Sequence, residues 1–161
     1  METLVEETGG RKMRTAIIYY SRHHGNTKKL IDAIARTGEI ELVDVTETKT
    51  KDLNSFDLIG FASGIYYRKM HKALASFAEN NLPAGKKVFF LYTYGAAGKG
   101  YTASLSKVCR EKGAEIAGEY GCLGFDTFGP FKLIGGVAKG HPNESEIEAA
   151  VSFFQALQKV Q

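Results

Sequence analysis

Hydroxyl, amide and glycine residues are concentrated in one short loop of the sequence, Ser21-Arg22-His23-His24-Gly25-Asn26-Thr27. The loop joins an apolar strand to a helix, so free N–H groups and the positive end of the helix dipole would favour an anion there. Ser21 and Thr27 supply hydroxyl donors, Gly25 lets the backbone pass close to a phosphate, and Asn26 tolerates a tight turn. The same residue types also cap helices that bind nothing. The loop therefore predicts either a phosphate site or a simple helix cap.

The loop matches neither of two common nucleotide-binding patterns. It has neither the glycine spacing of GxGxxG nor the lysine of GxxxxGK[ST], and the missing lysine argues against hydrolysis of nucleoside triphosphates. A receiver-like regulatory domain would need a cluster of acidic residues at the end of the first strand. The chain has Tyr19-Tyr20-Ser21 at that point, which argues against this class as well.

Alternating strands and helices must position the loop. Apolar, β-rich runs predict five strands, at residues 14–20, 39–45, 57–62, 87–93 and 114–122. Apolar residues at helical spacing predict four helices. The first ends at Gly38, the third spans about 101–112, and the fourth begins at Asn143 with a capping box to Glu146. The second has an apolar face formed by Met70, Leu74, Phe77 and Ala78. We expect the third strand to end at Ser63-Gly64 and the polar 46–56 stretch to form only a short turn of helix. This rhythm predicts an α/β fold with one doubly wound five-stranded parallel sheet flanked by helices.

Composition sets limits on the class of protein. The 161 residues suit one domain, which we place at 13–161 after a flexible extension at 1–12. A net charge of +3 with scattered basic residues does not indicate a nucleic-acid partner. No apolar run approaches the roughly 18 residues of a membrane span, and no signal peptide is evident. Cys109 and Cys122 form neither a CxxC pair nor a zinc pattern, so we expect no metal, two buried thiols and a cytoplasmic location.

The segment YYSRHHGNTKKL resembles the phosphate loop of the flavodoxin family, in which a hydroxyl residue and a short polar stretch precede Gly-Asn-Thr at the helix start. The resemblance covers essentially the whole domain and implies the flavodoxin-like strand order 2-1-3-4-5. It also implies that the chain binds FMN. The residues it assigns to the phosphate are Ser21, His23, His24, Gly25, Asn26 and Thr27. The two histidines make this loop about one residue longer than the common family form, so the other positions carry over more directly.

Two further loops, 63–71 and 93–101, lie beyond the same strand ends, where ligands of such sheets bind. The resemblance implies that they hold the flavin ring. The residues concerned are Ser63, Gly64, Ile65, Tyr66 and Tyr67 in the first loop, and Thr93, Tyr94, Gly95, Ala96 and Gly98 in the second. Tyr66 or Tyr67, and also Tyr94, are candidates for stacking on the ring. The alternatives are that both tyrosines of the first loop pack on the following helix, and that the second loop is a flexible connection.

The basic residues within these loops have no fixed role. Arg68, Lys69 and Lys99 either stabilise a reduced anionic flavin or are only solvated. His71 begins a helix and is expected to be a surface residue rather than a proton donor. His141 precedes a helix cap, where a local structural role is expected.

The 123–142 segment is too long and too apolar for a plain connector. Its aromatic residues, Phe125, Phe128 and Phe131, cover the flavin, form a dimer surface, or simply pack against the sheet edge. The first two interpretations make the segment a lid or the interface of a homodimer.

Two uses of a bound flavin remain open. The first is electron transfer between redox partner proteins, and the second is an FMN-dependent oxidoreductase that acts on a small-molecule electron acceptor such as a quinone or porphyrinogen. The stretch SGIYYRKMHKALASF is similar to flavodoxin-like protoporphyrinogen oxidases. A pI near 8.8 and the absence of tryptophan depart from typical acidic carriers. We expect a carrier, leave the enzyme open, and assign no catalytic residue.

Overall fold

Parallel strands of mostly apolar residues form the centre of the protein, and helices connect one strand to the next. The computed structural model describes residues 12–22, 24–127 and 129–159. Its strands are β1 (Thr15–Tyr20), β2 (Ile40–Asp44), β3 (Leu58–Tyr66), β4 (Lys69–Met70), β5 (Lys87–Tyr94) and β6 (Glu115–Leu123). Its helices are α1 (Asn26–Ala35), α2 (Lys72–Asn81), α3 (Ala103–Glu111) and α4 (Glu144–Lys159), with a 3-10 helix at Gly129–Ile134.

The sheet has the predicted topology. Its order is β2-β1-β3-β5-β6, and all of these neighbours are parallel. This is the expected order 2-1-3-4-5 once the two-residue β4 is counted, because β4 pairs only with the end of β3, in antiparallel fashion. The predicted doubly wound α/β fold is confirmed. The expected N-terminal extension lies, apart from Lys12, outside the described residues.

Two apolar layers cover the two faces of the sheet. Successive residues of β1 point to opposite faces, so Ile17 packs with α1 and α4 while Ile18 packs with α2 and α3. Helix α1 contributes Leu30, Ile31 and Ile34, each fully buried. Burial on both faces explains why the central strands are almost continuously apolar. In the described part of the chain, no helix is long and apolar enough to cross a membrane.

Three segments differ from the prediction. Met70, expected on the apolar face of the second helix, lies in β4 because it pairs with Ile65 of β3, and α2 begins at Lys72. Strand β3 does not end at Ser63-Gly64 but continues to Tyr66, because Gly64 pairs with Thr93 of β5 before the chain turns into the hairpin. The 46–56 stretch contains turns and no helix. Asn81 bonds the backbone of Lys49 and Lys51 there, so a side chain satisfies groups that a helix would otherwise pair.

The capping box at the start of α4 is confirmed. The N–H of Glu146 donates to Asn143 Oδ1 at 2.9 Å, and the N–H of Asn143 donates to Glu146 Oε1 at 2.9 Å. Before this helix, the 123–142 segment is more ordered than the expected irregular connection. It contains the 3-10 helix and an antiparallel bridge between Asp126 and Val137.

Candidate functional site

The carboxyl ends of four parallel strands meet at one edge of the sheet. β1 ends at Tyr20, β3 at Tyr66, β5 at Tyr94 and β6 at Leu123. In open α/β sheets this edge holds the ligand, at the point where the strand order reverses. In this sheet the reversal falls between β1 and β3, beside the start of α1.

Two adjoining cavities open at this edge. A narrow pocket lies against the start of α1, and a groove of about 600 Å³ lies between the β3–β4 hairpin and the loop after β5. Both cavities are lined by Ile65, Tyr94, Gly95 and Asp126. An elongated ligand with a polar end can therefore extend from the helix N-terminus into the groove.

The polar end of this site is the first turn of α1. Gly25 precedes the helix in the left-handed conformation, with φ of 66°, which glycine adopts without strain. Ser21 Oγ accepts a hydrogen bond from the N–H of Lys28 at 3.2 Å, and the N–H of Lys29 donates to the carbonyl of Gly25. These bonds leave the N–H groups of Asn26 and Thr27, which have no intrahelical partner, for an external acceptor.

Asn26 and Thr27 are buried, and each lies within hydrogen-bond distance of a residue near the carboxyl end of another strand. Asn26 Nδ2 donates to the carbonyl of Phe125 at 2.7 Å, and the Thr27 and Thr93 hydroxyls are 3.0 Å apart. Asn26 Oδ1 is buried and has no hydrogen-bond partner among the described residues. Because such a group costs about 1–3 kcal/mol, it marks a place where a ligand or water would supply a donor.

Gly124 forms the floor beneath this asparagine. A Cβ atom at position 124 would lie 2.8 Å from Asn26 Nδ2 and 3.0 Å from Thr93 Cβ, so only glycine fits without a shift. The close approach sets the position of the first turn of α1 against the end of β6.

His24 links the loop to the segment that follows β6. Its Nε2 lies 2.9 Å from Thr127 Oγ1, and its ring centroid lies 4.4 Å from that of Phe125. The side chain is exposed and lines neither cavity of the site. His24 therefore holds the loop from outside, and His23 lies outside the described residues.

Aromatic side chains line the groove. Tyr67, Tyr94 and Tyr101 come from the two loops on either side, and Phe131 comes from the 3-10 helix. Tyr94 and Tyr101 contact each other, with ring centroids 5.9 Å apart. Such flat walls suit a planar aromatic ligand.

The β3–β4 hairpin rests on a second aromatic cluster. Tyr20 stacks on His71 with ring centroids 3.6 Å apart, and Tyr66 meets both rings edge-on. Burial, with smaller contributions from Tyr20 and Asp126, raises the pKa of Tyr66 to about 12. Burial and the nearby Lys72 lower the pKa of His71, whose Nδ1 accepts the N–H of Ala73 at the start of α2.

The structure brings most of the predicted residues to the two cavities. Those lining a cavity are Ser21, Asn26, Thr27, Gly64, Ile65, Tyr66, Tyr67, Thr93, Tyr94, Gly95 and Ala96. Gly25 shapes the loop without lining a cavity. Ser63 is fully buried, and its hydroxyl accepts the N–H of His71, so it closes the hairpin. Gly98 lies beneath Tyr101, whose hydroxyl donates to the carbonyl of Ala96.

Nine residues that line the cavities were not among the predicted site residues: Arg22, Arg68, Ala97, Tyr101, Gly124, Phe125, Asp126, Pro130 and Phe131. Arg22 and Tyr101 lie inside loops that the sequence had already singled out. Gly124 and Asp126 follow β6 directly, so the rule that locates ligands beyond the carboxyl ends of strands would have found them. Phe125 and Phe131, considered as a cover, do line the site, whereas Phe128 lies outside the described residues.

Glu146 fixes the far end of the 123–142 segment. Its carboxylate lies within hydrogen-bond distance of His141 Nδ1 and accepts the N–H groups of Asn143 and Leu123. Burial opposes its ionisation, but these hydrogen bonds prevail and lower its pKa. The local structural role expected for His141 is therefore seen in this contact.

We expect Glu146→Gln to destabilise the protein by about 1–2 kcal/mol at pH 7, since a charged acceptor of three hydrogen bonds is lost. A carboxyl with a lowered folded pKa stabilises above its ordinary value of 4.5 and loses this effect as pH falls through the folded pKa. Urea unfolding should therefore show that the free energies of unfolding of wild type and Glu146→Gln differ less at pH 3 than at pH 7. The exposed Glu148→Gln is the control, and an equal gap at both pH values would contradict the assignment.

Residues 17–124 match the model of a protein family described as flavodoxin domain. An uncharacterized protein of Methanocaldococcus jannaschii is 36% identical over 149 residues, covering 91% of this chain and 99% of its own.

Solved structures show the same fold. A flavodoxin from the domain Archaea superposes with a TM-score of 0.62 at 17% identity, covering 91% of this chain and 99% of its own. Oxidised flavodoxin 2 from Bacillus cereus gives a TM-score of 0.61 at 21% identity, covering 89% of this chain and 97% of its own.

Proposed function

Because the chain belongs to the flavodoxin domain family, we propose that it binds FMN non-covalently at the carboxyl edge of its sheet and carries electrons between protein partners. Flavodoxins bind FMN. The observation that carries the proposal is the pair of adjoining cavities, one polar at the start of α1 and one aromatic between two loops. Their order along the sheet edge matches a molecule with a phosphate at one end and a flat ring at the other.

The first turn of α1 would hold the phosphate. The N–H groups of Asn26 and Thr27 supply donors, and the helix dipole favours the negative charge. Ser21 lines the same pocket, and so does Arg22, a cation whose guanidinium is held by Thr46 Oγ1 at 2.5 Å. The buried Asn26 Oδ1 remains as an acceptor for a ligand hydroxyl or a water.

The groove would hold the ring and shield one of its faces from water. Tyr94 stands at the junction of the two cavities, and Tyr67 and Tyr101 flank the wider part, so each offers a face for stacking. Asp126, in the shared wall, would oppose the build-up of negative charge on a reduced ring. When bound, FMN would supply the capacity to take up electrons from one partner and release them to the next.

An oxidoreductase is the second candidate, and the size of the groove favours it. The groove extends past Tyr94 to Pro130 and Phe131, which leaves room for a small-molecule acceptor such as a quinone or porphyrinogen beside the ring. Arg68 lines the groove, and Lys99 lies in the loop after β5, whose first residues line it. Both cations would favour an acidic substrate. Two buried free cysteines agree with a reducing, cytoplasmic location for either function.

Titration of the purified apo-protein with FMN, followed by absorbance and fluorescence, tests the proposal. We expect a dissociation constant of micromolar or below, and at least tenfold weaker binding of riboflavin, which lacks the phosphate. Stepwise anaerobic reduction then separates the two functions. Two well-separated one-electron potentials would support the carrier, and a single two-electron step would support the enzyme. No binding of FMN at micromolar concentrations would overturn both.

A further inference from the structure

Positive charge is concentrated in the segments at the carboxyl ends of β3, β5 and β6. Arg68 of these segments lines the groove, and Lys72 and Lys139 line two other cavities. We define the mouth as residues 63–72, 94–102, 124–127 and 129–142, the described segments at and after the carboxyl ends of β3, β5 and β6. It contains six Lys or Arg residues against the single carboxylate of Asp126, whereas the rest of the chain has 15 Lys or Arg and 17 Asp or Glu. The net positive charge of the protein therefore comes entirely from the mouth.

The six cations are available to a partner. They are Arg68, Lys69, Lys72, Lys99, Lys132 and Lys139, and each side chain is exposed. None of them forms an ion pair with another described residue. Unpaired cations around a cleft produce a positive field that attracts acidic molecules and weakens with salt.

The same rim carries exposed apolar side chains. Leu133 is 89% exposed, Tyr67 81% and Ile134 72%, and these are the exposed large hydrophobic residues of the described chain. Tyr67 is at the tip of the β3–β4 hairpin, and the other two are on the 3-10 helix whose Pro130 and Phe131 line the groove. Apolar residues grouped at a charged rim are typical of protein interaction sites.

The hairpin tip is strained as well as exposed. Tyr67 and Arg68 have φ of 49° and 65° and connect two paired positions, so they form a two-residue turn with both residues left-handed. Such a turn favours Asn-Gly, and other residues cost about 1 kcal/mol each there. The turn places an aromatic ring and a cation in the wall of the groove, and strained residues cluster at functional sites.

We propose that the mouth is a docking surface for an acidic protein with an apolar contact patch, and that this protein is an electron-transfer partner. The last clause rests on the proposed function. A small molecule inside the groove would leave Leu133 and Ile134 in water. A second copy bound mouth to mouth would place two positive rims against each other, because a two-fold interface pairs each patch with itself.

Binding of the full chain to two redox proteins of opposite charge tests the docking surface. The probes are an acidic plant-type [2Fe–2S] ferredoxin and a basic cytochrome c, each titrated into the ¹⁵N-labelled protein with and without FMN. We expect ferredoxin to bind at least tenfold more tightly than cytochrome c at low salt. The affinity for ferredoxin should fall steeply as the salt concentration rises. The changes in amide chemical shift on ferredoxin binding should be largest at residues 65–70 and 130–134.

Two charge-reversal variants with the same change in net charge distinguish the effect of the mouth cations from the effect of the overall charge. Arg68→Glu combined with Lys132→Glu should weaken ferredoxin binding at least tenfold at low salt. Arg36→Glu combined with Arg110→Glu makes the same change in net charge at exposed helix ends on the opposite edge of the sheet, and should alter affinity less than twofold. Leu133→Asn should weaken binding at low and high salt alike, since it removes an apolar contact.

Several outcomes would overturn the docking surface. One is that cytochrome c binds as tightly as ferredoxin, and another is that both charge-reversal variants lose the same affinity for ferredoxin. The others are a dimer that Leu133→Asn abolishes, and a single-stranded oligonucleotide that binds more tightly than ferredoxin. Failure of FMN to bind would overturn the proposed function alone, because the amide shifts can be recorded on the protein without FMN.

Discussion

An aspartate in place of Ser21 should weaken FMN binding about 100-fold while leaving the apo-protein as stable as before. Ser21 Oγ accepts the N–H of Lys28, and a carboxylate accepts the same bond and interacts favourably with the helix dipole. A phosphate bound at Asn26 and Thr27 would instead face a second negative charge. At about 4 Å and an effective dielectric constant near 20, the repulsion is about 4 kcal/mol, and partial exposure of the loop reduces it to about 3.

The measurement is the dissociation constant of FMN for wild type, Ser21→Asp and Ser21→Asn. The asparagine variant keeps a neutral acceptor for Lys28 and should lose less than tenfold. Riboflavin is the second control, because without a phosphate its affinity should be nearly the same for all three proteins. The free energies of unfolding of the three apo-proteins in urea should agree within about 0.5 kcal/mol. If FMN binds the aspartate variant as well as wild type, the loop is only a helix cap.

The fold could be predicted because its signals are local. β1, β3 and β5 are continuous apolar runs, and the helices between them have apolar residues at helical spacing, so the parallel sheet follows from the alternation. The β4 hairpin could not be predicted in the same way. Its turn is Tyr67-Arg68, and nothing about these two residue types indicates two left-handed positions, which Asn and Gly normally occupy.

The lining of the cavities could be predicted where its residues lie in one loop, and less well where their positions depend on distant partners. Ser21, Asn26 and Thr27 follow from residue type and from the position of the helix start. The tether between His24 and Thr127 joins residues 103 positions apart, so no local pattern could indicate it. The sequence of the 123–142 segment leaves open a cover, a dimer surface or packing on the sheet edge, whereas in the structure its residues Gly124, Phe125 and Asp126 form a wall of the narrow pocket.

Gly60 marks the most tightly packed point of the sheet. It lies in the middle of β3, opposite Ile17 of β1 and Phe89 of β5. A Cβ atom at this position would lie 2.4 Å from Phe89 Cζ, which is closer than atoms can approach. Phe89 is fully buried, and its ring packs against Phe154 with centroids 5.8 Å apart. The ring therefore has little room to move away.

We expect Gly60→Ala to destabilise the protein by about 3 kcal/mol, at the upper end of the range for overpacked cores. An unhindered Gly→Ala change elsewhere usually stabilises slightly, so the loss would come from the clash with Phe89. Gly38→Ala, where nothing lies within 4 Å of the added atom, is the control and should change the free energy of unfolding by less than about 0.5 kcal/mol. The measurement is urea unfolding, with FMN affinity recorded under conditions where both variants are folded.

A double-mutant cycle assigns the effect to one contact. Phe89→Leu shortens the side chain that meets the new methyl group, so Gly60→Ala should cost at least 1.5 kcal/mol less in that background, well above the error of about 0.5 kcal/mol expected for independent sites. If the cost is the same in both backgrounds, the strain arises from the backbone of β3 and not from the ring. FMN affinity should be unchanged throughout, because neither Gly60 nor Phe89 lines a cavity of the candidate site.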